Sequence, residues 1–286
     1  MKPATSITIG KECIKCGRCV LACPCLILSF DKSKNIKVNN LDSCIGCGHC
    51  AAICPTHALQ HSLFPPEKIK PINFEKCPTP EATFNLIKKR RSNRLMSDKP
   101  IPQEYLDKII EAARYAPTAR NIDDVEYTIV SSKEKLKVLT EFTISEFQKV
   151  VDKLTNPILK PILKIINPDS FQSLPKLQHV IEEYKKGNDV VLRRTKSVIL
   201  FHSKANDTFT IAHQNMSYQN ASLMAESLGV AQFYLGYMCS AIFMNKGQLE
   251  KELGIDGKIG AAIGLGMPIS KFENFVERET PKVKVL

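Results

Sequence analysis

The 286-residue sequence contains no tryptophan, and aromatic residues make up only 7% of it. Proteins that bind single-stranded nucleic acid stack the bases on aromatic side chains, so the formal net charge of +11 does not by itself indicate such a partner. No run of about 18 uncharged apolar residues is present, and the stretch from Met1 to Glu12 lacks the apolar core of a signal peptide. We therefore expect a cytoplasmic protein with no membrane span and no nucleic-acid partner.

Nucleotide-binding loops are also missing from the sequence. No G-x-x-x-x-G-K-[ST] segment occurs, and Gly260, Gly264 and Gly266 have the spacing G-x-x-x-G-x-G, which does not fit a dinucleotide fingerprint. Nothing in the sequence pairs a histidine with a serine or cysteine nucleophile, so no catalytic residue is assigned. The histidines that we interpret as structural are His49, His57, His61, His202 and His213.

Cysteine, by contrast, is abundant, with 11 residues, most of them in the first fifth of the chain. Thiols stay reduced in a chain that is not exported, so dense cysteine predicts metal binding rather than disulfides. Eight cysteines form two copies of the spacing C-x2-C-x2-C-x3-C, each followed by proline. The first copy contains Cys13, Cys16, Cys19 and Cys23, and the second contains Cys44, Cys47, Cys50 and Cys54.

The repeat predicts two [4Fe–4S] clusters with crossed ligation, because three closely spaced thiolates bind one cluster while the fourth reaches the other. The first cluster would take Cys13, Cys16, Cys19 and Cys54, and the second Cys44, Cys47, Cys50 and Cys23. Zinc is the alternative, but two C-x2-C pairs would leave the cysteine triplets and both Cys-Pro dipeptides unexplained. The cysteines outside the pattern, interpreted as packed thiols, are Cys25, Cys77 and Cys239.

This pattern resembles a bacterial two-[4Fe–4S] ferredoxin domain, which would occupy residues 1–61. Residues 62–79 contain four prolines, with a fifth at Pro80, and predict an extended linker. Thr79, Pro80 and Glu81 then supply a helix N-cap, a proline at the first helical position and an acid near the helix N-terminus. We therefore place a second domain at residues 80–286.

Hydrophobic periodicity predicts both helices and strands in the second domain. The predicted helices begin at Pro80 and cover Leu106–Ala113, Asp207–Leu228 and Asn245–Leu253. The predicted strands cover Val125–Ile129, Ser197–His202 and Ile259–Leu265. Such a mixture indicates the α+β class.

Two segments of this domain carry polar groups suited to a cofactor. Arg90, Arg91, Ser92 and Arg94 follow the first helix, and guanidinium groups at this density suit bidentate binding of a phosphate, although a charge run is also typical of a solvated face. Asn121 lies between a helix and a strand, where its amide can donate to and accept from the edge of a ring.

The order of these segments resembles the nitroreductase family of FMN-dependent oxidoreductases over residues 80–286. The resemblance rests on R-R-S-x-R, on A-P-[ST]-x-x-N before a strand, and on Gln214-Asn215-Met216, Leu235-Gly236 and the closing strand with Gly264, Gly266 and Pro268. It implies bound FMN, a homodimer, and an α+β fold with a mixed, mostly antiparallel sheet.

Residue roles follow from this resemblance. Arg90, Arg91, Ser92 and Arg94 would hold the FMN phosphate and ribityl chain, and Leu235 and Gly236 would approach flavin N5. In the family's domain-swapped dimer, a loop that faces the partner's flavin matches Pro117, Thr118, Ala119 and Asn121. An arginine near the C-terminus that reaches the phosphate matches Arg278, with Lys282 as the second candidate and Arg193 as a weaker FMN-side match.

The chain departs from the family pattern in two places. Asp123, Asp124 and Val125 stand where Gln-Pro-Trp is common, so nicotinamide and substrate preferences need not transfer. Residues 141–189 match nothing in the family, and we interpret them as an insertion or lid over the flavin. An interfacial membrane helix is the alternative, against which Pro161 argues.

These features together predict an iron–sulfur flavoprotein oxidoreductase. The chain would pass single electrons from its clusters to FMN and then reduce a conjugated small-molecule acceptor, such as a nitroaromatic, a quinone or an enone. An external low-potential donor such as ferredoxin would supply the electrons. The alternative is an electron-carrier module that delivers electrons to a partner protein.

Overall fold

The computed structural model describes residues 5–245 and 247–286, and the chain divides into two compact units. The first unit comprises the residues up to Cys77 together with Thr118–Ile122, and the second comprises Pro78–Pro117 and Asp123–Leu286. The boundary between the units after Cys77 lies inside the segment predicted as a linker. No signal in the sequence predicts that residues 118–122 belong to the first unit. Within the described ranges, no helix combines the length and the apolar character needed to cross a membrane.

The first unit contains two small antiparallel sheets and two short helices. Strand β1 (Ile7–Ile9) pairs with β4 (Leu59–His61), and β2 (Leu28–Phe30) pairs with β3 (Ile36–Val38). Helix α1 (Arg18–Ala22) lies in the first cysteine repeat and α2 (His49–Ala52) in the second. The partner of β1 therefore comes from the end of the second repeat.

Each of these helices starts at a glycine in the left-handed conformation. Gly17 and Gly48 both have φ of 73°, a conformation that costs a residue with a Cβ atom more than it costs glycine. A Cβ on Gly17 would also lie 2.6 Å from Cζ of Phe30, and one on Gly48 would lie 3.2 Å from the ring of Phe64. The repeat therefore requires glycine here both for the turn and for the approach of an aromatic ring.

The second unit is a four-stranded sheet with helices on both faces, and every pairing among its described strands is antiparallel. The sheet order is β5 (Glu126–Val130), β6 (Ser197–Ser203), β8 (Lys258–Gly266) and β7 (Ala231–Tyr234). The helices are α3 (Pro80–Lys89), α4 (Gln103–Ala113), α5 (Lys133–Thr155), α6 (Leu159–Ile166), α7 (Ser170–Lys185), α8 (Thr210–Ser227), α9 (Gly236–Met244) and α10 (Gln248–Leu253).

Strand β6 is buried along its whole length because helices cover both of its faces. Its side chains alternate between two cores, as strand geometry requires. Val198 and Leu200 belong to the core that includes residues of α5, α7 and α9, whereas Ile199 and Phe201 belong to the core that includes residues of α4 and α8. A strand buried on both faces appears in the sequence as an unbroken apolar run, which is how Ser197–His202 was predicted.

The predicted helices are present, but their first residues were predicted less accurately. The Thr79 hydroxyl accepts from the amide of Ala82 at 3.2 Å, which confirms the cap of α3. Helix α8 begins three residues later than predicted, because the carboxylate of Asp207 accepts from the amide of Phe209 and closes a turn first. The helix predicted from Asn245 is wrong at its start, since Asn245 ends α9 and Gly247, with φ of 90°, precedes α10.

The segment that matches no family pattern is helical. It covers most of α5, all of α6 and α7, and α6 is exposed along almost its entire surface. The exposed apolar side chains at α6 are Ile158, Leu159, Ile162, Ile165 and Ile166. Its role as a lid stays a prediction.

Candidate functional site

The first cysteine cavity in the amino-terminal unit is lined by thiols from both repeats. A cavity of about 340 Å³ has Cys13, Cys16, Cys19 and Cys54 in its wall. Cys13 and Cys16 precede α1, Cys19 lies in its first turn, and Cys54 comes from the end of the second repeat. Apolar side chains complete the lining: Ile9, Ile14, Ile36 and Leu59.

The second cysteine cavity repeats this arrangement with the repeats exchanged. Cys44, Cys47 and Cys50 line a cavity of about 290 Å³ together with Cys23 from the first repeat. Cys25 and His61 also line this cavity, although the sequence pattern included neither. The structure thus brings together the two sets of four cysteines that crossed ligation requires, while the ligation itself stays a prediction.

Four thiols around each cavity are the donor set of a [4Fe–4S] cluster, which binds each thiolate to a different iron. The ligands of such a cluster are therefore spread apart. In residues 5–245 and 247–286, no three His, Cys, Asp or Glu side chains lie close enough together to hold a single metal ion. The cavities fit the predicted clusters in ligand number and ligand type.

Burial acts against ionisation of two of these thiols. It raises the pKa of Cys19, and it raises the pKa of Cys50 to about 11. Burial also acts to raise the pKa of Cys54, but hydrogen bonds from backbone amides of Leu59 and Thr56 outweigh it and leave that pKa below its ordinary value. Bound iron would supply the positive charge that holds all these thiols as thiolates.

Two polar side chains contact cluster-candidate cysteines and were not assigned from the sequence. His61 Nε2 lies 3.6 Å from Cys44 Sγ, and Thr56 Oγ1 lies 3.8 Å from Cys54 Sγ. Burial lowers the pKa of His61. His61 lies seven residues beyond the last cysteine of its repeat, in a strand whose pairing brings it back to the cavity, so only a three-dimensional model reveals the contact.

The loop predicted to face a flavin lies partly in the first unit. Thr118, Ala119 and Asn121 belong to the segment 118–122, whereas Pro117 belongs to the second unit. The side-chain amide of Asn121 donates to the carbonyl oxygen of Gly46, within the second cysteine repeat, at 2.9 Å. Arg120 and Asn121 both have positive φ, so this segment holds an uncommon backbone conformation.

The arginine segment lies against strand β7 in the second unit. The carbonyl oxygen of Arg91 accepts from Gln232 Nε2 at 2.8 Å, and the guanidinium of Arg94 lies 5.4 Å from the ring centre of Phe233. Ser92 is exposed and Arg90 is half-buried. Because β7 leads directly into Leu235 and Gly236, the structure brings the predicted phosphate segment to the strand that ends at the predicted flavin backbone.

A cavity beside this segment carries excess positive charge. It measures about 730 Å³ and is lined by Lys89, Arg91 and Lys271, with Glu226 as its acid. Glu226 pairs with Lys89 at 3.3 Å, which leaves two cations without an acid in the lining. Arg91 Nε is buried and has no hydrogen-bond partner among the described residues. An unpaired buried donor and surplus cations suit an anionic group such as a phosphate.

Leu235 and Gly236 form the turn between β7 and α9. Leu235 is buried and its amide donates to the carbonyl of Ala262 at 3.1 Å. Gly236 opens α9, where the first amides have no partner within the helix. A Cβ on Gly236 would contact only Cδ1 of Tyr234, at 3.8 Å, so the protein itself leaves room beside this backbone.

Three side chains next to this turn are held neutral by burial. It raises the pKa values of Tyr218 and Tyr234, and it raises the pKa of Cys239 to about 11. The rings of Tyr218 and Tyr234 meet edge to face at 4.9 Å. Cys239 is 3% exposed, which fits its interpretation as a packed thiol.

The carboxy-terminal tail follows helix α3. The side-chain amide of Asn93 donates to the carbonyl oxygen of Ser270. The ring centre of Phe272 lies 5.7 Å from the Arg91 guanidinium, and that of Phe275 lies 4.7 Å from Lys88 Nζ. Arg278 and Lys282 continue this tail and are exposed. No contact between either residue and Arg90–Arg94 is seen in the described part of the chain, so their assignment stays a prediction.

Comparison with known proteins identifies both parts of the chain. A model of the nitroreductase family matches residues 87–267, and a model of a 4Fe-4S dicluster domain matches residues 12–58. A relative in Archaeoglobus fulgidus, described as an NADH dehydrogenase/NAD(P)H nitroreductase, is 37% identical over 67 residues. That match covers 23% of this chain and 38% of the relative.

Solved structures share the fold of the second unit at low sequence identity. An FMN-bound nitroreductase from Desulfitobacterium hafniense has a TM-score of 0.52 at 19% identity, covering 71% of this chain and 98% of that one. A BluB-like flavoprotein from Clostridium difficile has a TM-score of 0.54 at 17% identity, covering 71% and 99%. The α+β fold class and the expected order of a two-cluster ferredoxin segment and a nitroreductase segment are therefore confirmed.

Proposed function

This chain belongs to the nitroreductase family, and we propose that it is an iron–sulfur flavoprotein that passes single electrons from two [4Fe–4S] clusters to FMN and then reduces a conjugated small-molecule acceptor. The observation that carries the proposal is the presence, in one chain, of two cavities with four cysteines each and a nitroreductase unit with a cationic cofactor segment. When bound, the clusters supply one-electron transfer and the flavin supplies storage of the electron pair that a hydride requires.

The cysteines and their neighbours would hold the clusters. Each cavity provides four thiols, and the amide of Gly46 donates to Cys44 Sγ at 3.4 Å. Amide donors of this kind stabilise negative charge on sulfur and orient the ligand. Apolar side chains such as Ile9 and Ile36 line the first cavity.

The second unit would bind FMN through charge at one end and backbone at the other. Arg90, Arg91, Ser92 and Arg94 would hold the phosphate and ribityl chain, where the orphaned Arg91 Nε would gain an acceptor. Leu235 and the open backbone of Gly236 would orient the ring near N5. The relatives described as binding FMN support this proposal through their shared fold.

The partners we propose are a small-molecule acceptor, an external low-potential donor such as ferredoxin, and a second copy of the chain in a cytoplasmic homodimer. A donor domain on the same chain gives the flavin a one-electron source at high effective concentration, which favours this route over direct reduction by a nicotinamide. Delivery of electrons to a partner protein is the alternative outcome.

The test compares the complete holoprotein with its Cys13→Ser/Cys44→Ser variant, which removes one proposed ligand of each cluster and leaves the rest of the chain in place. With reduced external ferredoxin as donor, we expect flavin reduction in the variant to slow by on the order of a hundredfold. NADH and NADPH should reduce the flavin poorly in both proteins. Undiminished reduction by ferredoxin in the variant, or equal reduction by NADH in both, would contradict the proposed electron route.

Turnover with acceptors separates the enzyme from the carrier. A reduced holoprotein that converts nitroaromatics, quinones or enones at a rate matching its reduction supports the enzyme. Electron transfer to proteins alone, with none of these compounds reduced, supports the carrier.

A further inference from the structure

The two cysteine repeats differ at one buried position beside a cluster ligand. His61 stands 31 residues after Phe30, the same offset that separates Cys44 from Cys13, so the two residues hold the same position in the sequence of the two repeats, at the ends of β4 and β2. His61 is 3% exposed and lies against Cys44, whereas Phe30 is 47% exposed and has no N–H group to donate. The repeat therefore provides an internal comparison for what the histidine adds.

The surroundings of His61 hold its ring in one orientation. Its backbone pairs with Ile7 across the β1–β4 sheet, and the ring of Phe64 meets the imidazole edge to face at 5.0 Å. Phe64 is itself held by its approach to Gly48, where no Cβ intervenes. The imidazole consequently points its Nε2 at Cys44 Sγ, 3.6 Å away.

The backbone also selects the tautomer of this histidine. The amide of Leu63 donates to His61 Nδ1 at 3.2 Å, so Nδ1 is an acceptor and carries no proton. The single proton of the neutral ring is then on Nε2, the atom that faces the sulfur. The contact with Cys44 is an N–H···S hydrogen bond with the histidine as donor.

We propose that His61 donates this hydrogen bond to Cys44 in the loaded protein and thereby raises the reduction potential of the second cluster above the value it would have without the histidine. The inference rests on the proposed assignment of Cys44 to the second cluster. When that cluster takes up one electron its negative charge increases, and a donor aimed at a ligand sulfur stabilises the more negative state. At the matching sequence position of the first repeat stands Phe30, whose side chain has no N–H group. The side-chain contact to a first-cluster ligand is instead that of Thr56 Oγ1 with Cys54 Sγ, at 3.8 Å.

The difference has a direct consequence for electron storage. A higher potential of the second cluster shifts the electron that the ferredoxin unit holds toward the cluster of Cys44, Cys47, Cys50 and Cys23. His61 thus acts through the ligand Cys44 on the reduction potential of the cluster, and it contacts no substrate.

The test is an anaerobic redox titration of the complete holoprotein, with the two reduced clusters followed by electron paramagnetic resonance. His61→Phe places the residue of the first repeat into the second, keeps a ring and removes the donor. We expect the equilibrium between the clusters to shift about tenfold toward the first cluster, which is about 59 mV for one electron. His61→Gln retains an N–H donor and should recover part of the shift, while the exposed Gln60→Ala should change neither potential.

A second measurement uses the parent protein, so it decides the question even if the variants lose a cluster. In holoprotein labelled with 15N-histidine, the reduced second cluster should show a hyperfine coupling to one histidine nitrogen. Equal potentials in His61→Phe and the parent protein, with both clusters loaded, would overturn the proposal, as would the absence of the nitrogen coupling. Absence of iron and sulfide from the parent protein would instead contradict the proposed function itself.

Discussion

The cysteine repeat and the arginine segment show two different ways in which a site is assembled. Around each cysteine cavity the four predicted thiols are already gathered, although one of them comes from the other repeat. The residues predicted to bind FMN are not gathered in this way. Arg91 and Arg94 lie beside β7, whereas Asn121 contacts Gly46 and Arg278 lies on an exposed tail. The short repeat brings its predicted residues together, whereas the predicted residues of the flavin site come from distant segments.

The two regions also differ in what their charges require. The thiols of Cys19 and Cys50 are buried, and burial raises their pKa values, so they need a cation to become ligands. Arg90, Arg91 and Arg94 are permanently charged, so they can bind an anion without any change of protonation. Removing a thiol should therefore abolish a site, whereas removing an arginine should weaken one.

The largest expected effect is on the cysteine cavities. Cys54→Ser should remove the first cluster and leave the second, because Cys54 lines the cavity of Cys13 and not that of Cys44. Iron and sulfide should fall from about eight of each per chain to about four, measured by elemental analysis after anaerobic reconstitution. Cys77→Ser, at an exposed thiol outside both cavities, is the matched control. Loss of the cluster of Cys44 instead would show that ligation is not crossed.

A smaller effect is expected at the arginine segment. Arg90→Ala should lower the FMN affinity by about 1.5–3 kcal/mol, the contribution of a hydrogen bond to a charged group, and leave the iron content unchanged. Fluorescence titration of the flavin-free protein with FMN measures this affinity. Lys88→Ala removes a charge from the adjacent helix, where the ammonium lies over Phe84 and Phe275, and should leave the affinity unchanged. An unchanged affinity in Arg90→Ala would make this segment a solvated face.

The smallest effect tests the backbone at Gly236. Gly236→Ala should leave thermal stability unchanged or slightly raised, because the new Cβ contacts only Tyr234 and alanine favours a helix by up to about 1 kcal/mol. FMN affinity should nevertheless fall by about tenfold if the ring approaches this backbone. Gly264→Ala is the contrast, because its Cβ would lie 2.8 Å from Thr195 Oγ1 and should destabilise the fold. Unchanged FMN binding in Gly236→Ala would place the ring elsewhere.

Prediction from sequence succeeded where the signal is local. The cap at Thr79 and the strand at Ser197–Ser203 depend on a few adjacent residues, and both are present. The start of α8 was misplaced because Asp207 and Phe209 close a turn that periodicity does not register. The helix from Asn245 was misplaced because Gly247 separates α9 from α10.

The cysteine spacing by itself determined the number of thiols, their division between two cavities and the resulting two-cluster prediction, because ligand geometry over a few residues follows from covalent reach and turn preference. Only the tertiary structure decided that His61 rather than another histidine meets Cys44, because strand pairing between residues 7 and 61 brings it there. Tertiary structure likewise decided the contact of Asn121 with Gly46, across 75 residues of sequence. Contacts of this range depend on packing of the whole chain, and no pattern within a short window encodes them.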